Sequence, residues 1–294
     1  MLLGLLFVSL AAFIWGTQGA AVTEFTNRSG GGAIEAAFVA SAIGACLLLG
    51  GGLAVRRSWP RFRVALGAAF AIGGLVAAFI GSYFAAISLI GIALAAVVAI
   101  CSAPLFTTVL AVVFLRERLT PAPIVGLGAG VAGTALIFVG RGDVAVTSGS
   151  RAVGGLLLAL VAGFAFASRI VLVRGFVSRI HPIQLAALIG CGTAVFLAGM
   201  VAARREGLGS VTAGWPWVVY LGVVPMTFAP LLHAAGLLRI SSIPAAIAGL
   251  LEPLTATLVA LLIFGEHLAT ISWVGVGFVF LAVLVVCVGS SRPQ

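Results

Sequence analysis

The sequence predicts an all-α integral membrane protein, with ten transmembrane helices arranged as two inverted five-helix repeats. Composition is the first reason. Hydrophobic residues make up 62% of the 294-residue chain and charged residues 8%, with a mean hydropathy of +1.29. A soluble domain is about 45–50% apolar and about 25% charged, so lipid must be the solvent here. The second reason is segment length: the apolar runs are near the roughly 20 residues a helix needs to cross the hydrocarbon core. The third is an internal repeat. Ala103-Pro104-Leu105-Phe106-Thr107-Thr108 returns 149 positions later (253 − 104 = 149) as Glu252-Pro253-Leu254-Thr255-Ala256-Thr257. The same shift superposes Ala111 on Ala260, Glu117 on Glu266, Leu119 on Leu268, Gly126 on Gly275, Gly128 on Gly277 and Gly140 on Gly289.

In chain order, spans are expected near 2–22, 34–55, 64–84, 90–115, 121–140, 153–173, 182–203, 217–238, 241–264 and 270–289. The first begins at Leu2 with no basic residue before it and stays apolar to Val22, which suits a membrane span better than a cleaved signal peptide. The uncharged run from Val64 to Leu115 is too long for one helix and must turn near Ser88–Gly91. Thr120 and Pro121 mark the start of the fifth helix. A polar joint over 141–150, with Arg141, Gly142, Thr147, Ser148 and Gly149, separates a first repeat (1–140) from a second (151–289). Residues 290–294 form a short tail. Five spans per half is an odd number, so the second half must enter the membrane the other way up. Such halves can rock against each other around a central site, which points to a transporter.

Charge placement orients the chain. The net charge is +9 and all 16 basic residues are arginine. Ten lie in the even-numbered loops and C-terminal tail, among them Arg56, Arg118, Arg174, Arg239 and Arg292. Five lie on the opposite side: Arg28, Arg141, Arg151, Arg204 and Arg205. This asymmetry puts both termini in the cytoplasm, and the expected location is the cytoplasmic (inner) membrane. Scattered between apolar segments, the arginines form no continuous basic face, so nucleic acid is not the expected partner. Cys46, Cys101, Cys191 and Cys287 stand singly inside apolar segments, with neither disulfide nor metal spacing. No metal or cofactor is expected. Gly128-Ala129-Gly130-Val131-Ala132-Gly133 matches a dinucleotide fingerprint in letters only. It lies in a span with no strand before it, and reads as close helix packing.

Phe13-Ile14-Trp15-Gly16 in the first span, Ala103-Pro104 leading to Leu115-Arg116-Glu117-Arg118-Leu119-Thr120, and Leu251-Glu252-Pro253 leading to Phe264-Gly265-Glu266 together resemble the EamA family of the drug/metabolite transporter superfamily. The resemblance covers nearly the whole chain as two repeats. It implies a ten-helix transporter, often an exporter of amino acids or related metabolites. It also implies a central cavity lined by the third, fourth, eighth and ninth helices with help from the first and sixth. Arg116 stands where the family commonly has glycine before the first glutamate, whereas Gly265 keeps it.

Glu252 is the sharpest candidate, an acid at the middle of the ninth span whose repeat mate is Ala103. Intramembrane acids usually face a cavity or a partner. Glu252 is read as a site for a substrate amine or a proton, against a purely structural carboxyl. Arg169, in the sixth span, either snorkels to the interface or faces the cavity, where it holds a substrate carboxylate or pairs with Glu252. His233, the mate of Phe84, either contacts substrate or protons, or bonds helices together. Trp15, Gln18, Tyr83 and Phe84 are candidate cavity walls, carried mostly by the family pattern. Pro104 and Pro253, both mid-span, would free carbonyls that a pathway can use, or simply bend their helices. Glu117 and Glu266 sit between a helix end and the next helix start, and are expected to act as structural clasps on helix hairpins.

Together these readings describe a secondary transporter of small polar or amphipathic metabolites working by alternating access, with amino-acid export the leading class. No Walker sequence is present, so ATP is not expected to drive it directly. Proton antiport and passive facilitation stay open, as do monomer and homodimer. The competing classes are a membrane-embedded enzyme on lipid-linked substrates and a non-transporting assembly or receptor subunit. The former would need clustered Asp, His or Ser at one membrane face, which this sequence lacks.

Overall fold

A computed structural model describes residues 2–54, 62–140, 149–204, 208–264 and 269–289. Among the described residues the chain is helical without strands, and ten segments are long and apolar enough to cross a membrane. They are Leu2–Ser29, Ala33–Ala54, Phe62–Ile90, Ile92–Leu115, Pro121–Val139, Ser150–Val177, Pro182–Arg204, Trp215–Leu237, Ser242–Ile263 and Thr270–Gly289. The first span outruns its apolar stretch because its polar end sustains the helix. Thr23 and Thr26 hydroxyls donate back to the Gly19 and Thr23 carbonyls, and Arg28 pairs with Glu24 at 2.8 Å, four residues earlier. The long third–fourth run breaks at Gly91, whose φ of 78° suits a residue without Cβ. Large apolar side chains such as Leu262, Leu53 and Phe114 are more than two-thirds exposed and present the surface that lipid must cover.

Packing runs mainly between the halves. The fifth span packs on the tenth, the second on the seventh, the third on the sixth and seventh, and the first on the eighth and ninth. Adding five to each span number in these pairs returns a pair that is also packed: third with sixth becomes eighth with first. The fifth–tenth crossing shows the same exchange at residue level. A Cβ on Gly133 would lie 2.6 Å from the Gly275 carbonyl, and one on Gly126 would lie 3.2 Å from the Ala282 carbonyl. The 149-residue shift turns the pair Gly126–Ala282 into Gly275–Gly133. Of the glycines in the false dinucleotide motif, Gly133 is thus a backbone-to-backbone contact and Gly130 makes room for the Leu250 side chain, while Gly128 faces open space.

The fourth span ends at Arg116, with φ 53°, the single positive-φ non-glycine among the described residues. Its amide returns to the Ala111 carbonyl. This left-handed position explains why glycine suits it elsewhere. Glu117 follows, and here the structure corrects one expectation. Its carboxylate accepts hydrogen bonds from the amides of Ser242 (2.7 Å) and Ile243 (3.2 Å). It caps the ninth span across the molecule, not the hairpin in which it sits, because that helix end presents free N–H groups within reach. Glu266 lies outside the described residues, as do most of the 141–150 joint and the 290–294 tail.

Two spans are discontinuous. The eighth runs as helix over Trp215–Val223, passes through a π turn over Val224–Phe228, and resumes over Ala229–Leu237. Pro225 and Pro230 have no N–H to donate, so the ladder shifts. The Ala229 amide reaches the Val224 carbonyl, and the Thr227 hydroxyl satisfies Gly222 at 2.8 Å. The ninth span breaks at Leu250, between Ser242–Gly249 and Leu251–Phe264. Pro253 provides no amide for the Gly249 carbonyl four residues before it, and falls in the first turn of the second piece, where proline is tolerated. Pro104 sits inside an unbroken helix.

Candidate functional site

Near mid-membrane, a cavity of about 130 Å³ is bounded by the first, second, third, sixth, seventh, eighth and ninth spans. Trp15, Gln18, Arg169, His233 and Glu252 all line it. Of the helices implied by the family resemblance, the fourth contributes no lining residue, while the second and seventh add Ser41 and Thr193.

Arg169 is the centre of the arrangement. Its guanidinium carbon lies 4.9 Å from the Trp15 ring centroid and 4.7 Å from that of Phe166. Phe166 is three residues earlier on the same helix face, so local spacing provides one ring and the first span the other. The Nη2 atom is buried and has no hydrogen-bond partner among the described residues. A long side chain sandwiched this way is not snorkelling. Glu252 lines the same cavity from the first turn after the ninth-span break, where a carboxylate faces free amides and the positive end of the helix dipole. No salt bridge joins Arg169 to Glu252. The site therefore holds a guanidinium and a carboxyl group that make no direct contact.

Trp15 is fixed from three sides. Its indole N–H donates to the Pro225 carbonyl of the π turn at 3.2 Å. Its ring meets His233 at 5.3 Å, tilted by 52°, and Arg169 covers another face. His233 is almost fully buried, at 3% exposure. Gly16, beside it, lets the first span touch the broken helix: a Cβ there would lie 2.6 Å from the Glu252 carbonyl. The Trp15-Gly16 pair thus combines a ring wall with a close approach to the acid.

Tyr83 and Phe84 do not line the cavity. Tyr83 stacks on Phe79 at 5.7 Å, and Phe79 meets Phe166 at 5.3 Å, so Tyr83 stands one layer behind the wall. Phe84 packs with Ile34, Ala77 and Leu197. Pro104 and Pro253 are also not among the lining residues. Their repeat mates on the next turn act alike, since Thr108 and Thr257 both donate to the carbonyl of the matching proline at 2.8 Å. Sequence reasoning missed Phe166, Phe79, Met226 and the π turn. The signal available was Pro225 and Pro230, five residues apart in one span, each removing a ladder bond. Among the described residues no group of three or more His, Cys, Asp and Glu is placed to hold a metal.

A ten-span bundle around a mid-membrane cavity, mostly apolar with a few polar and ionisable side chains, is the form of a small-molecule carrier. The EamA-like transporter family model matches residues 2–139 and again 153–288, and the chain belongs to that family. It is a multi-pass membrane protein of a transporter family. It is 28% identical to an uncharacterized transporter, YwfM, of Bacillus subtilis, over 98% of this chain and 94% of that protein. A probable terminal-alkyne amino-acid exporter of Streptantibioticus cattleyicolor is 30% identical over 60% of this chain and 58% of its own length. A solved crystal structure superposes with a TM-score of 0.80 at 21% identity, covering 98% of this chain and 99% of its own. That likeness concerns the fold alone.

Proposed function

We propose that the chain exports small zwitterionic metabolites, amino acids foremost, by alternating access around the Arg169–Glu252 cavity. One observation carries the reading: a buried guanidinium nitrogen without a partner, in a cavity that also holds an acid not paired to it. An orphaned buried donor is unfavourable by about 1–3 kcal/mol, more when charged, and a substrate carboxylate would satisfy it. Glu252 would receive the ammonium group. Trp15, Phe79, Phe166 and aliphatic neighbours offer an apolar wall for the rest of the molecule. The volume of about 130 Å³ is below the roughly 300–1,000 Å³ of pockets for drug-sized ligands, and favours a small cargo. The amino-acid exporter among the relatives agrees with this class.

Alternating access rests on two inverted repeats, 1–140 and 151–289, with both termini in the cytoplasm. The exchange of packed pairs on adding five supports the repeat, and the arginine asymmetry supports the orientation. Protons are proposed as the coupling ion, with Glu252 as the carrier. The experiment is flux in proteoliposomes. Small amino acids should be transported, and their decarboxylated amines and deaminated acids should compete poorly, because each lacks one of the two charges. Equal competition by all three would overturn the zwitterion reading.

A further inference from the structure

On the membrane face where the arginines concentrate lies a second, larger cavity of about 900 Å³, between ends of the first, fifth, sixth, eighth, ninth and tenth spans. Arg118, Arg174 and Arg239 line it, and among the described residues no acidic side chain does. None of the three makes a salt bridge among the described residues. Arg239 donates to the Ala235 carbonyl at 2.6 Å and lies 5.2 Å from the Phe7 ring centroid, which fixes its position without cancelling its charge. The N-terminus of the fifth span opens on the same space. Its N-cap Thr120 makes no side-chain cap bond, which leaves the first-turn amide of Ala122 without an intrahelical acceptor. The N-terminus of the ninth span borders the cavity too, but Glu117 already occupies its first amides.

The opposite wall is apolar and belongs to the lipid surface. Leu2, Leu284 and Val288 line the cavity and are 64%, 59% and 57% exposed. A soluble anion would use the arginines and leave that wall wet. A molecule with an anionic head and hydrocarbon tails would use both. Basic pockets between membrane helices suit phospholipid headgroups for this reason, with arginine matching phosphate oxygens through paired N–H groups.

We propose that this cavity binds an anionic phospholipid, phosphate and headgroup among Arg118, Arg174 and Arg239, acyl chains along the first and tenth spans. The bound lipid would join elements of both halves at one membrane face.

Native mass spectrometry of the full chain in detergent, titrated with phosphatidylglycerol and phosphatidylcholine, tests this. The expected preference for phosphatidylglycerol is about 100-fold, from three arginines at about 5-fold each, and it should fall with added salt. The combined Arg118→Gln, Arg174→Gln, Arg239→Gln variant should lose the preference, while Arg28→Gln at the other end of the first span keeps it. Should the triple variant fail to assemble, wild-type protein decides. Phosphatidylglycerol with a photoreactive acyl chain should label residues 284–288, and glycerol phosphate should not displace it. Equal uptake of the two lipids, an unchanged preference in the triple variant, labelling elsewhere, or displacement by the soluble phosphate would each overturn the proposal.

Discussion

Replacing Arg169 by lysine keeps the positive charge and removes the planar fork, and the surroundings of Arg169 set the size of the effect. The guanidinium is held between two rings at 4.9 and 4.7 Å, so its plane is oriented before any ligand arrives. Its Nη2 atom is buried without a partner. If a substrate carboxylate takes two parallel N–H bonds there, a lysine ammonium can replace one well and the second poorly. The loss of one charge-assisted bond is about 1.5–3 kcal/mol, or about 10- to 150-fold in affinity. Ring stacking is lost for every ligand alike and does not discriminate. Binding of amino acids and of their decarboxylated amines, followed by tryptophan fluorescence and by competition in proteoliposomes, separates the two contributions. Amino-acid affinity should fall by the stated factor, and amine affinity by less than about threefold, since no carboxylate is there to lose a bond. Equal losses for both ligands, or no loss for either, would refute the carboxylate clamp.

Three other substitutions probe the remaining links. Glu252→Gln keeps shape and removes the charge, so amino-acid flux should fall at least about tenfold and lose its dependence on a proton gradient, while the amount of protein in the membrane holds; unchanged flux would make Glu252 structural. Glu117→Ala strips the acceptor from two amides at 2.7 and 3.2 Å, and thermal unfolding in detergent should report a loss of about 2–4 kcal/mol; a loss within error would show that water replaces the cap. Gly275→Ala sets a Cβ 2.5 Å from the Gly133 carbonyl, which should destabilise by about 1–3 kcal/mol by the same measurement, whereas Gly277→Ala, with open space around it, should be near neutral.

Hydropathy and repeat spacing made the number of spans and their order legible, because both depend on local composition. The turn expected near Ser88–Gly91 falls at Gly91 for the same reason. Glu117 shows where local reading ends. Its place between two helices suggested the nearer amides, and its partners are 125 and 126 residues away, a relation only tertiary packing creates. Pro104 and Pro253 share a motif, yet one lies in a continuous helix and the other follows a break, so the freed carbonyl alone does not decide. Arg169 was ambiguous because snorkelling and cavity lining begin from the same position on the span. The Trp15 ring, 154 residues earlier in the chain (169 − 15 = 154), separates the two.

The site also divides its chemistry unevenly between the halves. Arg169, His233 and Glu252 belong to the second half, and the positions 149 residues before them are Ala20, Phe84 and Ala103. The first half contributes Trp15 and Phe79, and its third and fourth spans stay continuous, while the eighth and ninth are broken beside the cavity. Irregular backbone is tolerated in a membrane only where protein or a polar cavity satisfies its carbonyls. Here Trp15 of the first half does so for Pro225, and Glu252 sits at the break itself. Any rocking of one half against the other must therefore stretch or release the Trp15–Pro225 bond and change the separation between the Trp15 ring and Arg169. Substrate bridging Arg169 and Glu252 would engage only second-half charges, leaving the Trp15 contacts as the interaction through which occupancy is felt by the first half. Trp15→Phe removes the indole N–H and keeps a ring over Arg169. On this account it should leave substrate affinity within about threefold, since the ring wall is kept, while slowing flux, the signature of an indole N–H that couples the halves.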